Sequence, residues 1–360
     1  MVKEPRPHRG LTRRVMIGDV IIGGGMPVAV QSMNTTDTRD VAATRAQIAS
    51  LAQCGCEIAR VAIPDREAAL ALREICRDTP IPVVADIHFD YRLAIESIHS
   101  GAHKIRINPG NIGGADRVRE IANAAKEHGI PIRVGVNSGS LSQRMLDLHH
   151  GVNRDSMVES AIDSLHMLET CGFNDIVVSL KASDPLLMIE SYRLLASRVP
   201  YPLHLGVTEA GTMFEGSIRS SVGIGTLLAE GFGDTLRVSL TGQPEEEVRV
   251  AYAILKALRL RVHGPEMISC PTCGRTQVDL IGIAARVEER LKGEKRNLRI
   301  AVMGCAVNGP GEAREADIGI AGGNGEFLIF SRGRILRKVG ENEAVDELFK
   351  EIDRLGESKE

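Results

Sequence analysis

Eight short runs rich in β-branched and apolar residues recur through the first two thirds of the chain, each separated from the next by a helical pattern. They are PVAVQSM from Pro27, CEIARVAI from Cys56, IPVVADIHF from Ile81 and AHKIRINPG from Ala102. IPIRVGVNSG from Ile130, DIVVSLKAS from Asp175, YPLHLGVTEAG from Tyr201 and DTLRVSLTG from Asp234 complete the set. Stretches such as DTRDVAATRAQIASLAQCG and MVESAIDSLHMLETCG lie between them, with polar starts and glycine ends suited to capped helices. Eight strands alternating with helices over about 250 residues predict an α/β fold, an N-terminal (β/α)8 TIM barrel. A doubly wound open sheet is the alternative, but no G-x-G-x-x-G follows the first strand. Gly23–Gly25 precedes that strand and reads as a turn.

The barrel reading assigns each strand an inner and an outer face, because side chains alternate. Arg106 and Asn108 share one face of the fourth run, opposite Ile105 and Ile107. Arg133, Gly135 and Asn137 share a face of the fifth, and Arg237 and Ser239 a face of the eighth. Arg60, His88, Lys181 and His204 interrupt other apolar runs in the same way. Packing such groups against an apolar helix layer is costly, so they are expected to point inward. Most lie toward the strand ends that carry active sites in barrels.

Arg60, Arg106, Arg133, Lys181 and Arg237 would then surround one cavity and repel each other unless an anion neutralises them. Arginine forks match phosphate oxygens, so the expected substrate is a di- or polyphosphate. For any single arginine, an ion pair with a carboxylate is an equal alternative. Carboxylates on these runs are few, Asp86 and Glu209 being the clear ones. Glu209, in VTEAG at the end of the seventh run, is placed either to exchange a proton in a dry site or to pair with an arginine. Asp86 and His88 at i and i+2 are a weak metal pattern. His149–His150 falls in a polar stretch and reads as surface.

After Arg261 the pattern changes. VHGPEMISCPTCGR carries a Cys-x-x-Cys, and a boundary near Gly264 divides residues 1–264 from a smaller α+β domain, 265–360. Downstream, VDLIGIAARVEERLKG reads as a helix, LRIAVMGC as a strand and AVNGPGEA as a loop. DIGIAG and EFLIFSRGRILRKVG read as strands with a turn near Arg332–Gly333, and ENEAVDELFKEIDRLG as a closing helix. Of the seven cysteines, Cys54 and Cys171 precede glycines at helix ends and read as packing residues. Cys270, Cys273 and Cys305 offer three thiolates with no fourth cysteine nearby. A structural zinc site lacks an obvious fourth ligand. An iron–sulfur cluster, with three thiolates and an oxygen donor, fits better. Glu312 is the best nearby oxygen donor, with Asn308 and Asp317 as competitors that spacing does not separate.

The formal net charge of −3 and the 3% aromatic content, with no Trp, argue against nucleic-acid binding or a polybasic membrane surface. No apolar run approaches the ~20 residues of a membrane span, and the charged start MVKEPRPHRGLTRR is unlike a secretory signal. A cytoplasmic location is the expectation.

The order of the motifs AVQSM, EIARVAI, ADIHF, KIRINPGNIG, RVGVNSGSL, SLKAS, HLGVTEAG, RVSLTG, CPTCGR and MGCAVNGPGE resembles the 4-hydroxy-3-methylbut-2-enyl diphosphate synthases in their two-domain bacterial form. The resemblance covers nearly the whole chain. It implies a late step of the non-mevalonate isoprenoid pathway: two-electron reductive opening of 2-C-methyl-D-erythritol 2,4-cyclodiphosphate with loss of water. It further implies one 4Fe-4S cluster held by Cys270, Cys273, Cys305 and Glu312, fed by a flavodoxin or ferredoxin. It implies a homodimer in which the cluster domain of one chain caps the barrel of the other. Arg60, Arg106, Arg133, Lys181, Arg237 and Ser239 match the family's diphosphate contacts, with Asn108, Asn137, His88, His204 and Thr208 as second contacts. Glu209 matches its proton-delivering carboxylate, and Asn308 in the cluster loop lies within reach of the same substrate oxygen. The competing reading is a non-redox barrel enzyme acting on a phosphorylated or pterin substrate, with a structural zinc tail.

Overall fold

Each of the eight runs forms a parallel strand in the computed structural model, which describes residues 7–305 and 313–357. Two short antiparallel strands come first, β1 (Val15–Ile17) and β2 (Val20–Ile22). The barrel strands follow as β3 (Ala29–Met33), β4 (Ile58–Ala62), β5 (Val83–Asp86) and β6 (Lys104–Ile107). β7 (Ile132–Asn137), β8 (Ile176–Lys181), β9 (His204–Leu205) and β10 (Thr235–Leu236) complete the ring. Hydrogen bonding runs in the order β8-β7-β6-β5-β4-β3-β10-β9, and a parallel bridge from Val178 to Leu203 closes the circle. The eighth run was expected to be a strand through Leu240, but its ladder ends at Leu236, so Arg237 and Ser239 lie just past it.

The outward residues of the strands, including Val61, Ala85, Ile107, Val134 and Val178, are fully buried against the helices in one apolar core. Side chains of Asp40, Asp65, Asp90, Asn153 and Asp184 accept first-turn backbone N–H groups, which fixes where those helices start. Cys54 and Cys171 sit at the C-caps of helices Val41–Gln53 and Arg154–Thr170, as their spacing suggested. The β1–β2 hairpin, which sequence patterning missed, packs Val15, Ile17 and Ile22 against Ala29, Ile58, Val84 and Val177. Those residues come from the first halves of their strands, so this apolar plug forms a floor.

The chain divides into two units, Met1–Arg261 and Val262–Glu360. The second is a five-stranded sheet of β11 (Glu266–Ser269), β12 (Arg299–Met303), β13 (Ile318–Gly323), β14 (Glu326–Ser331) and β15 (Arg334–Gly340), in that order. β11 to β13 are parallel and the rest antiparallel. Helices Leu280–Leu291 and Ala344–Glu357 supply Ile283, Val287, Val345, Leu348 and Ile352 to a core with Ile300, Val302, Ile320 and Phe327. The turn at Arg332–Gly333 has both residues at positive φ. β11 was not foreseen in the sequence. Among the described residues, no helix is long and apolar enough to cross a membrane.

Candidate active site

The polar inward faces form as the alternation requires, and among the described residues they meet carboxylates at two points. Asp86, at the end of β5, accepts from Arg106 Nη1 at 3.1 Å and lies 3.6 Å from Arg60 Nε, with all three side chains buried. His88 stands beside them, its Nε2 3.7 Å from Asp86 and its ring 55% exposed. Burial alone would raise the Asp86 carboxyl, but Arg60, Arg106, Arg133 and His88 hold it well below its ordinary value. Burial draws the Arg60 guanidinium down to about 10. A carboxylate so surrounded by cations has no call for a metal, so the Asp86–His88 pattern is an ion-pair corner.

Arg237 is clamped by a residue that the sequence did not single out. Glu247, on helix Pro244–Ala257, accepts from Arg237 Nε at 3.1 Å and Nη2 at 2.8 Å, and also from Ser32 Oγ and the Leu240 N–H. Its sequence signal, three consecutive glutamates in a first helical turn, is that of ordinary N-terminal acidic residues. Lys104, two residues before Arg106 on the same face, was also missed. It is fully buried.

Arg133, Lys104 and Lys181 have no carboxylate within ion-pair distance among the described residues, and Arg133 is fully buried with Nε and Nη1 unpartnered. Burial, reinforced by neighbouring arginines, pushes the Lys181 amine well below its usual range. Six inward cations thus face two carboxylates, leaving four formal positive charges unmatched. Two glycines make room for them. A Cβ on Gly135 would stand 2.5 Å from Arg106 Nε, and one on Gly206 would stand 3.2 Å from Lys181 Nζ.

The strand register sets Arg106 beside Arg133, and Asn137 beside Lys181. His204 is fully buried, pairs with Thr235 across β9 and β10, and reaches its Oγ1 at 3.4 Å. Asn108 is buried and caps the short helix Pro109–Ile112 through its side-chain oxygen. Thr208 and Ser239 are half-buried beyond the ends of β9 and β10. Glu209 is exposed with φ of 52°, a left-handed conformation unusual for a side-chain-bearing residue, and makes no hydrogen bond or ion pair with a described residue.

In the second unit Cys270 follows β11, and Cys305 follows β12, where the parallel register brings the two strand ends together. The Gly304 N–H donates to Cys270 Sγ at 3.2 Å. Thr276 Oγ1 accepts from the Cys273 N–H at 3.2 Å, and a Cβ on Gly304 would sit 3.0 Å from that same oxygen. The three cysteine segments therefore converge on Gly304. Hydrogen bonds from Arg275, backbone first and then side chain, lower the Cys273 thiol below its ordinary value. A cleft of about 600 Å³ opens there, lined by Gly274, Arg275, Gln277, Cys305, Gly322 and Gly323 among others. Among the described residues no three His, Cys, Asp or Glu side chains are gathered at metal-ligand spacing. Glu312 and Asn308 lie outside the described residues. Asp317 accepts from the Arg299 N–H at the opposite end of β12 from Cys305, which removes it as a fourth-ligand candidate.

Two families match the chain: the GcpE TIM-barrel domain over residues 12–252 and the GcpE protein C-terminal domain over 266–354. A protein of Ruminiclostridium cellulolyticum named 4-hydroxy-3-methylbut-2-en-1-yl diphosphate synthase (flavodoxin) is 57% identical over 347 residues, covering 96% of this chain and 98% of its own. Identically named proteins of Clostridium acetobutylicum and Geobacter sulfurreducens are 57% and 55% identical, each across 96% of this chain and 99% and 98% of their own. Among solved structures, dihydropteroate synthase from Stenotrophomonas maltophilia matches with a TM-score of 0.50 at 14% identity, over 69% of this chain and 97% of that one. At that identity the likeness speaks for the barrel fold alone. With domain matches across both units and relatives more than half identical along nearly their whole length, the chain belongs to the GcpE family.

Proposed function

We propose that the chain is an iron–sulfur oxidoreductase that converts 2-C-methyl-D-erythritol 2,4-cyclodiphosphate to (E)-4-hydroxy-3-methylbut-2-enyl diphosphate, a step of non-mevalonate isoprenoid synthesis. Two electrons and two protons enter, a ring C–O bond breaks, and a hydroxyl leaves as water. The observation that carries this reading is the surplus of buried cations in the barrel, which only a multiply charged anion neutralises.

In this reading Arg60, Arg106, Arg133, Lys181 and Arg237 hold the diphosphate. Asp86 and Glu247 fix three of these arginines in place, so little reorganisation is needed when substrate arrives. Ser239, Asn108, Asn137, His88, His204 and Thr208 complete the contacts around the ring. Glu209, at the mouth end of its strand, delivers the proton that turns the departing hydroxyl into water.

The thiols of Cys270, Cys273 and Cys305 suit a 4Fe-4S cluster: three cysteine-bearing segments meet at Gly304, and the Cys270 thiol accepts a backbone N–H beside an open cleft. In this proposal Glu312, which the resemblance matches to the family's fourth ligand, completes the set, and Asn308 of the same loop contacts the substrate oxygen. Such a cluster, when bound, supplies electrons singly and a Lewis-acidic iron. A flavodoxin donor follows from the names of the relatives, with a ferredoxin as alternative. The working assembly in this proposal is a homodimer, the cluster unit of one chain capping the barrel of the other.

The test is anaerobic purification, metal and sulfide analysis, and turnover with reduced flavodoxin. About four iron and four sulfide per chain, with the allylic diphosphate as product, are expected. Zinc without sulfide, or iron-replete protein that leaves the cyclic diphosphate intact, would overturn the proposal.

A further inference from the structure

Below the ring of arginines, inward side chains from four different strands hold polar atoms that no described residue satisfies. They are both side-chain atoms of Gln31 on β3, Lys104 Nζ on β6, Arg133 Nε and Nη1 on β7, and His204 Nε2 on β9. Lys104, Arg133 and His204 are fully buried, and Gln31 is 1% exposed. Buried polar groups in folded proteins are nearly always paired, and a buried lysine ordinarily has a carboxylate partner or reaches out to water. Lys104 does neither.

The position of Lys104 explains why no carboxylate serves it. It pairs in register with Val84, a residue of the apolar floor, while Asp86 lies one step nearer the mouth beside Arg106. Asp86 is shared between Arg60 and Arg106, and Glu247 is taken by Arg237. The charged side chains that act on Lys104 are Arg133 and Arg60, both repulsive, and with burial they lower its amine well below the usual value. His204 lies in the same field, acted on by Arg133, Lys181 and Lys104. An ammonium in this place destabilises the empty barrel. Residues kept against stability in this way are characteristic of binding sites.

We infer that Lys104, with Gln31 and His204, forms a lower tier of the diphosphate site, whose unmatched charge and unpaired polar atoms meet the deep end of a bound diphosphate. This rests on the reading of the barrel as a diphosphate site. It adds a residue beyond the strand cations visible in the sequence pattern, and it explains why one barrel layer tolerates a lysine with no partner. Arg133, partly unpaired between the two tiers, joins them.

The experiment uses the cluster-loaded protein and inorganic diphosphate, with calorimetric affinity and ligand-free thermal unfolding measured on wild type and Lys104→Met. The expected result is a paired one: affinity for inorganic diphosphate falls about tenfold, and the ligand-free variant unfolds at a higher temperature than wild type. Unchanged affinity overturns the lower tier. A variant that binds less but also unfolds at a lower temperature makes Lys104 a structural prop and overturns it equally. If Lys104→Met does not fold, Lys104→Gln is read by the same two criteria, and failure of both to fold counts as a structural role and against the proposal. If wild type itself does not bind inorganic diphosphate, the whole anion site fails, an outcome distinguishable from loss of the lower tier alone.

Discussion

Arg133 and Lys181 reach the barrel interior from strands hydrogen-bonded on both sides, whereas Cys270, Cys273 and Cys305 sit on loops at or beyond strand ends. Arg133 is fully buried and Lys181 8% exposed, and inward glycines leave room beside Arg106 and Lys181. The cysteines range from buried Cys305 to exposed Cys273, anchored by a backbone N–H and a threonine hydroxyl. One unit thus carries its charge preassembled by the sheet. The other carries thiols that, in the proposed reading, are brought into a common set by the group they bind, as metal sites coupled to local ordering are. The difference teaches that, under the proposed function, anion binding and cluster binding should be separable, each encoded in its own unit.

The sharpest way to break that separation is to damage each unit alone. Cys305→Ser is expected to abolish iron retention and turnover while binding inorganic diphosphate as wild type does. Arg133→Met is expected to retain iron and lose diphosphate binding by at least a hundredfold, since it removes a buried cation at the centre of the site. Iron content, calorimetry and turnover on both variants decide the matter. If Cys305→Ser also loses diphosphate binding, the two properties are coupled and the comparison fails. Mixing the two inactive variants extends the test: turnover returns only if one chain's cluster unit serves the other chain's barrel.

Glu209 stands apart from the buried strand cations: it lies on a loop, exposed, with its backbone in a left-handed conformation. In the proposed reaction it belongs with the chemistry that is completed on binding. Glu209→Gln is expected to leave diphosphate affinity unchanged and to lower kcat by about 10²- to 10⁴-fold, the usual contribution of a positioned acid. A normal kcat with a raised KM would make Glu209 a positioning group and leave proton delivery to another residue.

The inner face of the barrel was readable because a period of two in an apolar strand leaves a charged residue only one way to turn. Arg60, Arg106 and Arg133 all follow that rule. What pairs with them was not readable. Glu247 comes from a helix ten residues after Arg237, in a glutamate run that looks like helix-end charge, and only the closed fold brings it back to Ser32 and Arg237. Lys104 escaped notice because a single lysine at the start of a strand resembles a solvent-facing residue, whereas the fold pairs it in register with Val84 of the floor. The hairpin itself has strands of three residues, too short for periodicity to register. In the second unit the Cys-x-x-Cys and the later cysteine were plain, but spacing kept Asp317 as a ligand candidate. The length of β12 separates it from Cys305.

The last test lies inside the barrel and asks whether its cations, and not burial in general, keep Asp86 ionised. Asp234 is the control: it is at least as buried, accepts the Leu203 N–H at 2.9 Å and the Thr12 hydroxyl at 3.1 Å, and forms no ion pair among the described residues, with Arg9 acting on it only at longer range. Burial is the largest influence on it and raises its carboxyl to about 6, the opposite of Asp86. The sign follows from proton counts. Between the unfolded value near 4 and the folded value near 6, the native state holds a proton that the unfolded chain has released. The stability this contributes is fully present below about pH 4 and is lost as pH rises through 6, on the order of 3 kcal/mol in all. Asp234→Asn cannot ionise, so the stability of wild type relative to this variant is expected to fall by that amount between pH 4 and 7 in denaturant titrations. A difference independent of pH would mean that Asp234 stays ionised in the folded barrel with only the more distant Arg9 to favour it, and the contrast with Asp86 would no longer identify its ion-paired arginines as the cause.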